Sequence, residues 1–222
     1  MKNNFFKKDN LEEEFKPLSP KYYPEKYKIY IEEERNLIKK ILEEGNAKNV
    51  LEAGVGIGRL IPDIARLVGE FYGIDNSDYM IKKSQIIAEK FDNVRIKKMN
   101  IEEVSQKFPR NFFDYSLCVW NTLGNVESEV DALKSLREVT KNSVIVTTYL
   151  KGTIEDRKEW YKSVDVEIDK IDAENEIFYS KSGLKSKSYS QEDIQKIAEM
   201  SGFKDVDFKI LGEVILWSEL KT

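Results

Sequence analysis

No histidine occurs among the 222 residues of this chain, and cysteine occurs once. Without histidine the commonest general base is missing, so a proton acceptor must be a carboxylate, a tyrosine or water. The lone Cys118 cannot close an internal disulfide, which predicts a reducing, cytoplasmic setting. It falls in a predicted buried strand, where a thiol acts as apolar filler more often than as a nucleophile. No run approaches the roughly 20 apolar residues of a membrane helix, and the opening Met-Lys-Asn-Asn-Phe-Phe-Lys-Lys lacks the apolar centre of a signal peptide. A soluble protein with no membrane partner is expected. Nor is positive charge in excess: 36 Lys and Arg stand against 40 Asp and Glu, which argues against a clustered basic face for DNA or other nucleic acid.

What is present suits one globular α/β unit. The length allows a full core with a modest appendage, and Ile, Leu, Val and aromatics accompany a heavy charge load. Lysine-, glutamate- and isoleucine-rich composition is compatible with a heat-adapted source and equally with genomic base bias. Runs such as Ile31-Glu32-Glu33-Glu34-Arg35 read as solvated helix faces with opposite charges a turn apart.

The first 24 residues, with Pro17, Pro20 and Pro24, read as an arm. Apolar residues at Tyr27, Tyr30, Ile31, Leu37, Ile38, Ile41 and Leu42 then mark an amphipathic helix over Glu25–Glu44, ended by Gly45. Helices are predicted over Arg59–Leu67, Ser77–Phe91 and Glu127–Thr140. Strands are predicted over Asn49–Ala53, Phe71–Asp75, Val94–Met99, Phe113–Val119 and Ser143–Tyr149. This alternation implies a parallel sheet with helices on both faces, and right-handed crossovers set the loops holding Gly54, Asp75, Asn100 and Asn121 along one rim. A short helix around Glu155–Tyr161, a hairpin over Glu176–Tyr189 turning at Ser182-Gly183, a Ser190-capped helix closed by Gly202 and two terminal strands over Val206–Leu211 and Glu213–Leu220 complete the chain. The expected organisation is a single domain over residues 1–222. Within it, 1–44 form the arm and first helix, 45–150 the core, 151–189 an inserted cap and 190–222 the closing helix and strands.

Residues 50 to 58 read Val-Leu-Glu-Ala-Gly-Val-Gly-Ile-Gly. An apolar strand end runs into glycines that let backbone approach a bulky ligand with no Cβ in the way, and Glu52 sets a carboxylate at the strand tip. A helix follows, then Phe71-Tyr72-Gly73-Ile74-Asp75, a strand ending in an acid 17 residues past Gly58. That layout forms a dinucleotide-type pocket, with Asp75 placed to accept hydrogen bonds from two ribose hydroxyls. A nicotinamide oxidoreductase is disfavoured: in the Gly-x-Gly-x-x-Gly register counted from Gly54 the last position is Arg59, and counted from Gly56 it is Ile61.

The register Glu-x-Gly-x-Gly-x-Gly resembles the first motif of the class I S-adenosylmethionine-dependent methyltransferases, and the resemblance covers residues 45–150. Phe-Asp-Tyr-Ser-Leu-Cys-Val entering Trp120-Asn121-Thr122-Leu123-Gly124-Asn125 is similar to the fourth-strand ending of small-molecule N-methyltransferases. The resemblance implies a Rossmann-like fold with a seven-stranded, mostly parallel sheet and an antiparallel terminal strand. It implies S-adenosylmethionine as cofactor, held by Glu52, Gly54, Gly56, Gly58, Asp75, Asn76, Met80, Asn100, Ile101 and Trp120, Asn100 and Ile101 meeting the adenine. Asn121 and Tyr149 are the candidates for positioning a small-molecule acceptor, and no metal is expected.

Plainer roles stand beside these. The glycines also suit a bare strand-to-helix turn, Asp75 a helix cap, Glu52 a brace for the turn's amides, and Met80 core packing. Tyr22, Tyr23, Tyr27, Trp120, Tyr149, Trp160, Tyr161 and Tyr179 are each ordinary packing residues taken singly. Together they suit a pocket that shields a sulfonium and receives an amine through cation–π contact. Methyl transfer from a sulfonium needs alignment and exclusion of water more than acid–base help. With no histidine, amines, carboxylates, acidic hydroxyls and thiols are favoured as acceptors over ordinary alcohols. Alternatives are a protein or RNA acceptor and a non-catalytic cofactor-binding protein.

Overall fold

The computed structural model describes residue 16 and residues 19–222; the remainder of the expected arm, Pro17 included, lies outside the described residues. Helix α1 spans Glu25–Glu44, and its inward residues Tyr27, Tyr30, Ile31, Glu34, Ile38 and Leu42 recur every three to four positions. Gly45 ends it where any Cβ would strike the Tyr115 side chain.

The chain then alternates through β1 (Asn49–Ala53), α2 (Ile61–Ile64), β2 (Glu70–Asp75), α3 (Asp78–Ala88), β3 (Val94–Lys98), α4 (Val104–Lys107), β4 (Phe113–Cys118), α5 (Glu129–Val139) and β5 (Thr140–Leu150). Strands 1 to 5 are parallel in the order β3-β2-β1-β4-β5. Two closing strands, β9 (Asp205–Leu211) and β10 (Ile215–Lys221), extend the sheet, with β10 antiparallel to both β5 and β9. These seven strands are the expected sheet. Alternate residues of each strand supply two apolar layers. Val50, Leu117 and Ile145 join α1 and α2 on one face, while Leu51, Cys118, Val144 and Val146 join α5 and α7 (Gln191–Met200) on the other.

Between β5 and α7 lie α6 (Ile154–Ser163) and a meander of β6 (Ile168–Asp172), β7 (Ile177–Ser180) and β8 (Lys185–Tyr189). Strand β8 pairs in parallel with the last two residues of β5, Tyr149 and Leu150, so three strands are added to the seven at the carboxyl end of β5. Strand β6 has no counterpart in the sequence reading. Helix α2 is shorter than Arg59–Leu67: it begins only at Ile61, with Pro62 in its first turn, where a residue without an N–H is tolerated as it is not in a helix interior; Asn93 Nδ2 donates to the carbonyls of Ala65 and Val68 beyond it at 2.7 and 3.0 Å. Among the described residues no helix is long and apolar enough to cross a membrane.

Candidate active site

Strand order reverses between β1 and β4, and crevices in open α/β sheets lie at such a switch, outside the carboxyl ends of the strands. The loop after β1 holds Gly54, Gly56 and Gly58 at φ of +80°, +54° and +86°, a region that side chains with a Cβ enter at a cost. A Cβ on Gly54 would lie 2.5 Å from Thr122, and one on Gly58 2.6 Å from Ile61, but one on Gly56 would meet nothing within 4 Å. The outer glycines are required by packing within the chain. Gly56 borders open space.

Glu52, the penultimate residue of β1, is buried, with Oε2 lacking any hydrogen-bond partner. Burial lifts its carboxyl to about 8; the Arg59 guanidinium opposes the rise, and the charges of Glu34 and Asp75 add to it. Arg59 reaches from the glycine loop to Glu34 on α1 in a short ion pair, Nη2 to Oε2. Its Nη1 is buried and unpartnered, and its guanidinium lies 5.6 Å over the Trp120 ring. Glu34 is fully buried: its Oε1 accepts from Tyr30 OH at 2.5 Å and Thr147 Oγ1 at 2.8 Å. The expected solvated face of α1 thus fails at this residue, because its spacing from Tyr27, Tyr30 and Ile38 puts it on the inward stripe. Glu33 also faces the protein, accepting from Gly212 N at 2.8 Å.

Asp75 ends β2. Its oxygens accept from the N–H of Gly56 at 3.0 Å and of Ser77 at 2.9 Å. Burial raises its pKa against these backbone bonds and that of Asn76. The cap of α3 is Ser77, whose Oγ accepts from Met80 N. Asp75 therefore joins the first two strand ends, and a carboxylate with roughly four acceptor sites keeps capacity for a ligand. Asn76 and Asn100 are exposed, Asn100 donating to Glu103 Oε1 at 2.7 Å. Met80 and Ile101 are buried.

The turn after β4 carries two successive left-handed residues, Trp120 (φ +54°) and Asn121 (φ +56°). Thr147 holds them there, accepting from Trp120 N through Oγ1 and from Asn121 N through its carbonyl, both at 2.8 Å. Such positions are strained by about 1–3 kcal/mol each and persist where neighbours enforce them. Asn121 is buried, its Nδ2 donating to Ser186 Oγ at 3.0 Å and its Oδ1 accepting from Tyr149 N at 3.2 Å. Its amide thus braces β5 against β8. The Trp120 ring is stacked with Tyr23 at 5.5 Å and Tyr30 at 5.1 Å, and Tyr149 is buried against Tyr27, Trp160 and Tyr161. Cys118, just below this turn, is fully buried with its thiol pushed up to about 12 by desolvation, a neutral filler.

A family model described as a methyltransferase domain matches residues 44–202. The chain is a class I S-adenosylmethionine-dependent methyltransferase. A phosphoethanolamine N-methyltransferase of Arabidopsis thaliana is 30% identical to it over 101 residues, 46% of this chain and 21% of that protein. This methyltransferase spans about a fifth of the length of the curated relatives it matches. A methyltransferase structure from Aquifex aeolicus superposes with a TM-score of 0.64 at 21% identity, covering 94% of this chain and 99% of that one. A Pyrococcus horikoshii structure does so with 0.72 at 18%, covering 94% and 98%. At such identities the likeness is one of fold. In this methyltransferase the structure gathers Glu52, Gly56 and Asp75 at the switch point and adds Arg59 and Glu34, which sequence reasoning missed. The signals were there: a charged residue closing the glycine run, and a glutamate on the apolar stripe of α1.

Proposed function

We propose that the enzyme methylates a nitrogen of a small-molecule amine, and that Glu52, Gly56, Arg59 and Asp75 seat the donor. One observation carries this reading. A buried carboxylate oxygen on Glu52 and a buried guanidinium N–H on Arg59, both unpartnered, belong to the strand end and loop that carry Gly56, the glycine of that loop at which a Cβ would meet nothing. Buried polar groups without partners are costly and rare. An α-amino acid end, ammonium plus carboxylate, answers both, and the ribose hydroxyls suit Asp75. S-adenosylmethionine supplies an electrophilic methyl group on a sulfonium. The chain's own part is to bind, to align and to keep water out.

Base catalysis is poorly provided for. Burial raises the tyrosine hydroxyls of Tyr23, Tyr27, Tyr30 and Tyr149 further above their ordinary value, and the Cys118 thiol is neutral. An amine acceptor needs no such side chain: its ammonium form first gives a proton to water, the lone pair so freed attacks the methyl carbon, leaving the electron pair of the broken C–S bond on the sulfonium sulfur, and the methylated ammonium is the product. The N-methyltransferase named among the relatives supports the same choice. Residues 151–189, seated at the carboxyl end of β5, serve as the acceptor-recognition layer of a single domain that works in the cytoplasm.

The test is a mass-spectrometric screen of small-amine, RNA and protein pools. Gain of one methyl group on a small amine with release of S-adenosylhomocysteine, at a rate little changed by moderate salt, is the expected result. Activity confined to RNA or protein and falling steeply with salt would overturn it.

A further inference from the structure

Helix α6 carries a fully buried arginine. Arg157 Nη1 donates to the Glu176 carbonyl at 3.0 Å and to Ser188 Oγ, and Nη2 donates to the carbonyl and hydroxyl of Ser186 at 2.9 and 3.1 Å. All these acceptors are neutral, and among the described residues no carboxylate pairs with the guanidinium. It lies instead 4.1 Å over the Phe178 ring, 4.5 Å over Tyr149 and 5.8 Å over Tyr161. Two of the aromatic faces that suited an amine from the sequence, Tyr149 and Tyr161, are therefore already occupied by a cation of the protein itself, and a buried charge without an opposite charge calls for one.

Four hydrogen-bond donors at this place are buried without partners: Arg157 Nε, Tyr27 OH, Trp160 Nε1 and Tyr161 OH. They belong to one cluster, since Tyr27 stacks on Trp160 at 5.7 Å and Trp160 meets Tyr161 at 4.8 Å. The Arg157 charge acts on Tyr27. Each of the four groups is more than nine-tenths buried. The cluster adjoins the donor site: Trp160 is 6.0 Å from Trp120, the ring that Arg59 covers.

We propose that Arg157, Tyr27, Trp160 and Tyr161 seat an oxyanion, the phosphomonoester or carboxylate tail of the amine acceptor. This rests on the small-amine reading above and narrows it to amines with an anionic tail. The four unpartnered groups of the cluster are donors, while Glu176 Oε2 beside it is a buried acceptor that also has no partner; an oxyanion on Arg157 satisfies the donors and a bare amine does not. Tyr23 lies on the edge of Trp160 at 6.0 Å, so entry of the tail requires the segment before α1 to move aside.

The test uses the whole chain and three probes: inorganic phosphate, acetate, and one amine presented bare, with a phosphate tail and with a carboxylate tail. Phosphate or acetate should raise the thermal midpoint above that in chloride of equal ionic strength, and a Tyr27→Phe/Tyr161→Phe variant should lose that rise. Without the anion the variant should be as stable as wild type or more so, because it deletes hydroxyls that have no partner. A tailed amine should have a KM at least about tenfold below that of the bare amine, the ratio falling towards one in the variant; the preferred tail names the source. Indifference of the midpoint to both anions, or equal KM for bare and tailed amines in wild type, overturns the proposal. That comparison stands even if the double variant fails to fold. Absence of S-adenosylhomocysteine binding would instead overturn the reading on which the proposal rests.

Discussion

At the scale of single residues, the Glu52 carboxyl carries the sharpest consequence. Its pKa is near 8 in the folded protein against 4.5 ordinarily, so the native state holds this proton more tightly than the unfolded chain does. Its contribution to stability is full below pH 4.5, declines as pH rises and levels off above about 8, a loss on the order of a few kcal/mol. Urea unfolding across this interval should show wild type losing stability relative to Glu52→Gln; parallel profiles would refute the shift. An ammonium seated beside Glu52 needs the carboxylate, so S-adenosylhomocysteine binding near pH 6.5 should release about one proton, and Glu52→Gln should abolish the release. Calorimetry in buffers of different ionisation enthalpy reads it directly. Gly56→Ala enters the left-handed region at a cost of about 1–2 kcal/mol and sets a methyl in the open space. Gly152→Ala is its control, with φ of +95° and nothing within 4 Å of the added Cβ. Both should lower the unfolding midpoint in urea, and only Gly56→Ala should lose S-adenosylhomocysteine affinity. Equal affinity in the two variants would return the glycine to a purely backbone role. Asp75 and the glycines were legible in sequence because a strand end and a turn are local patterns. Glu34 was not, since its partners Arg59 and Thr147 are 25 and 113 residues away.

At the scale of elements, α1 is fastened to the rim through Glu34, which receives Arg59 from the glycine loop, Thr147 from β5 and Tyr30 from its own helix. Thr147 in turn fixes the strained Trp120-Asn121 turn. Helix, donor loop and acceptor turn thus share one carboxylate. Glu34→Ala would leave Arg59 buried without its counter-charge, a loss of about 3–5 kcal/mol, and should weaken donor binding as well. Denaturant unfolding with a change below about 1 kcal/mol would show that the pair contributes little. Helix α1 was readable to its ends because apolar residues repeat every three to four positions between Pro24 and Gly45. Strands β1, β2, β4 and β5 were readable because each carries an apolar run bounded by turns, and β3 because Val94 and Ile96 alternate with charged residues. Strand β6 was not: Ile168–Asp172 has no residue buried beyond the intermediate range and alternates no apolar face, so its pairing with β7 is decided by backbone neighbours that the sequence does not announce. The bracing role of the Asn121 amide was hidden for the same reason, its partners lying on β5 and β8.

Over the whole molecule, two buried sites of unmet polarity lie on either side of the Trp120–Trp160 contact. One pairs a carboxylate with a guanidinium beside open backbone; the other gathers donors around an arginine. Of the aromatics expected to welcome a cation, Trp120 instead faces Arg59, and Tyr149 and Tyr161 face Arg157, which also lies over Phe178. Residue types placed these side chains near one rim, yet only the packed chain shows which charge each ring already serves. The unpartnered Glu52 and Arg59 groups are the proposed seat of the donor's amino-acid end. A crystal structure of the complex with S-adenosylhomocysteine tests it most directly. The ligand ammonium should lie within about 3 Å of Glu52 Oε2, the carboxylate within similar reach of Arg59 Nη1, and the ribose on Asp75. A complex in which the amino-acid end lies elsewhere while Glu52 and Arg59 keep their unpartnered atoms would contradict it.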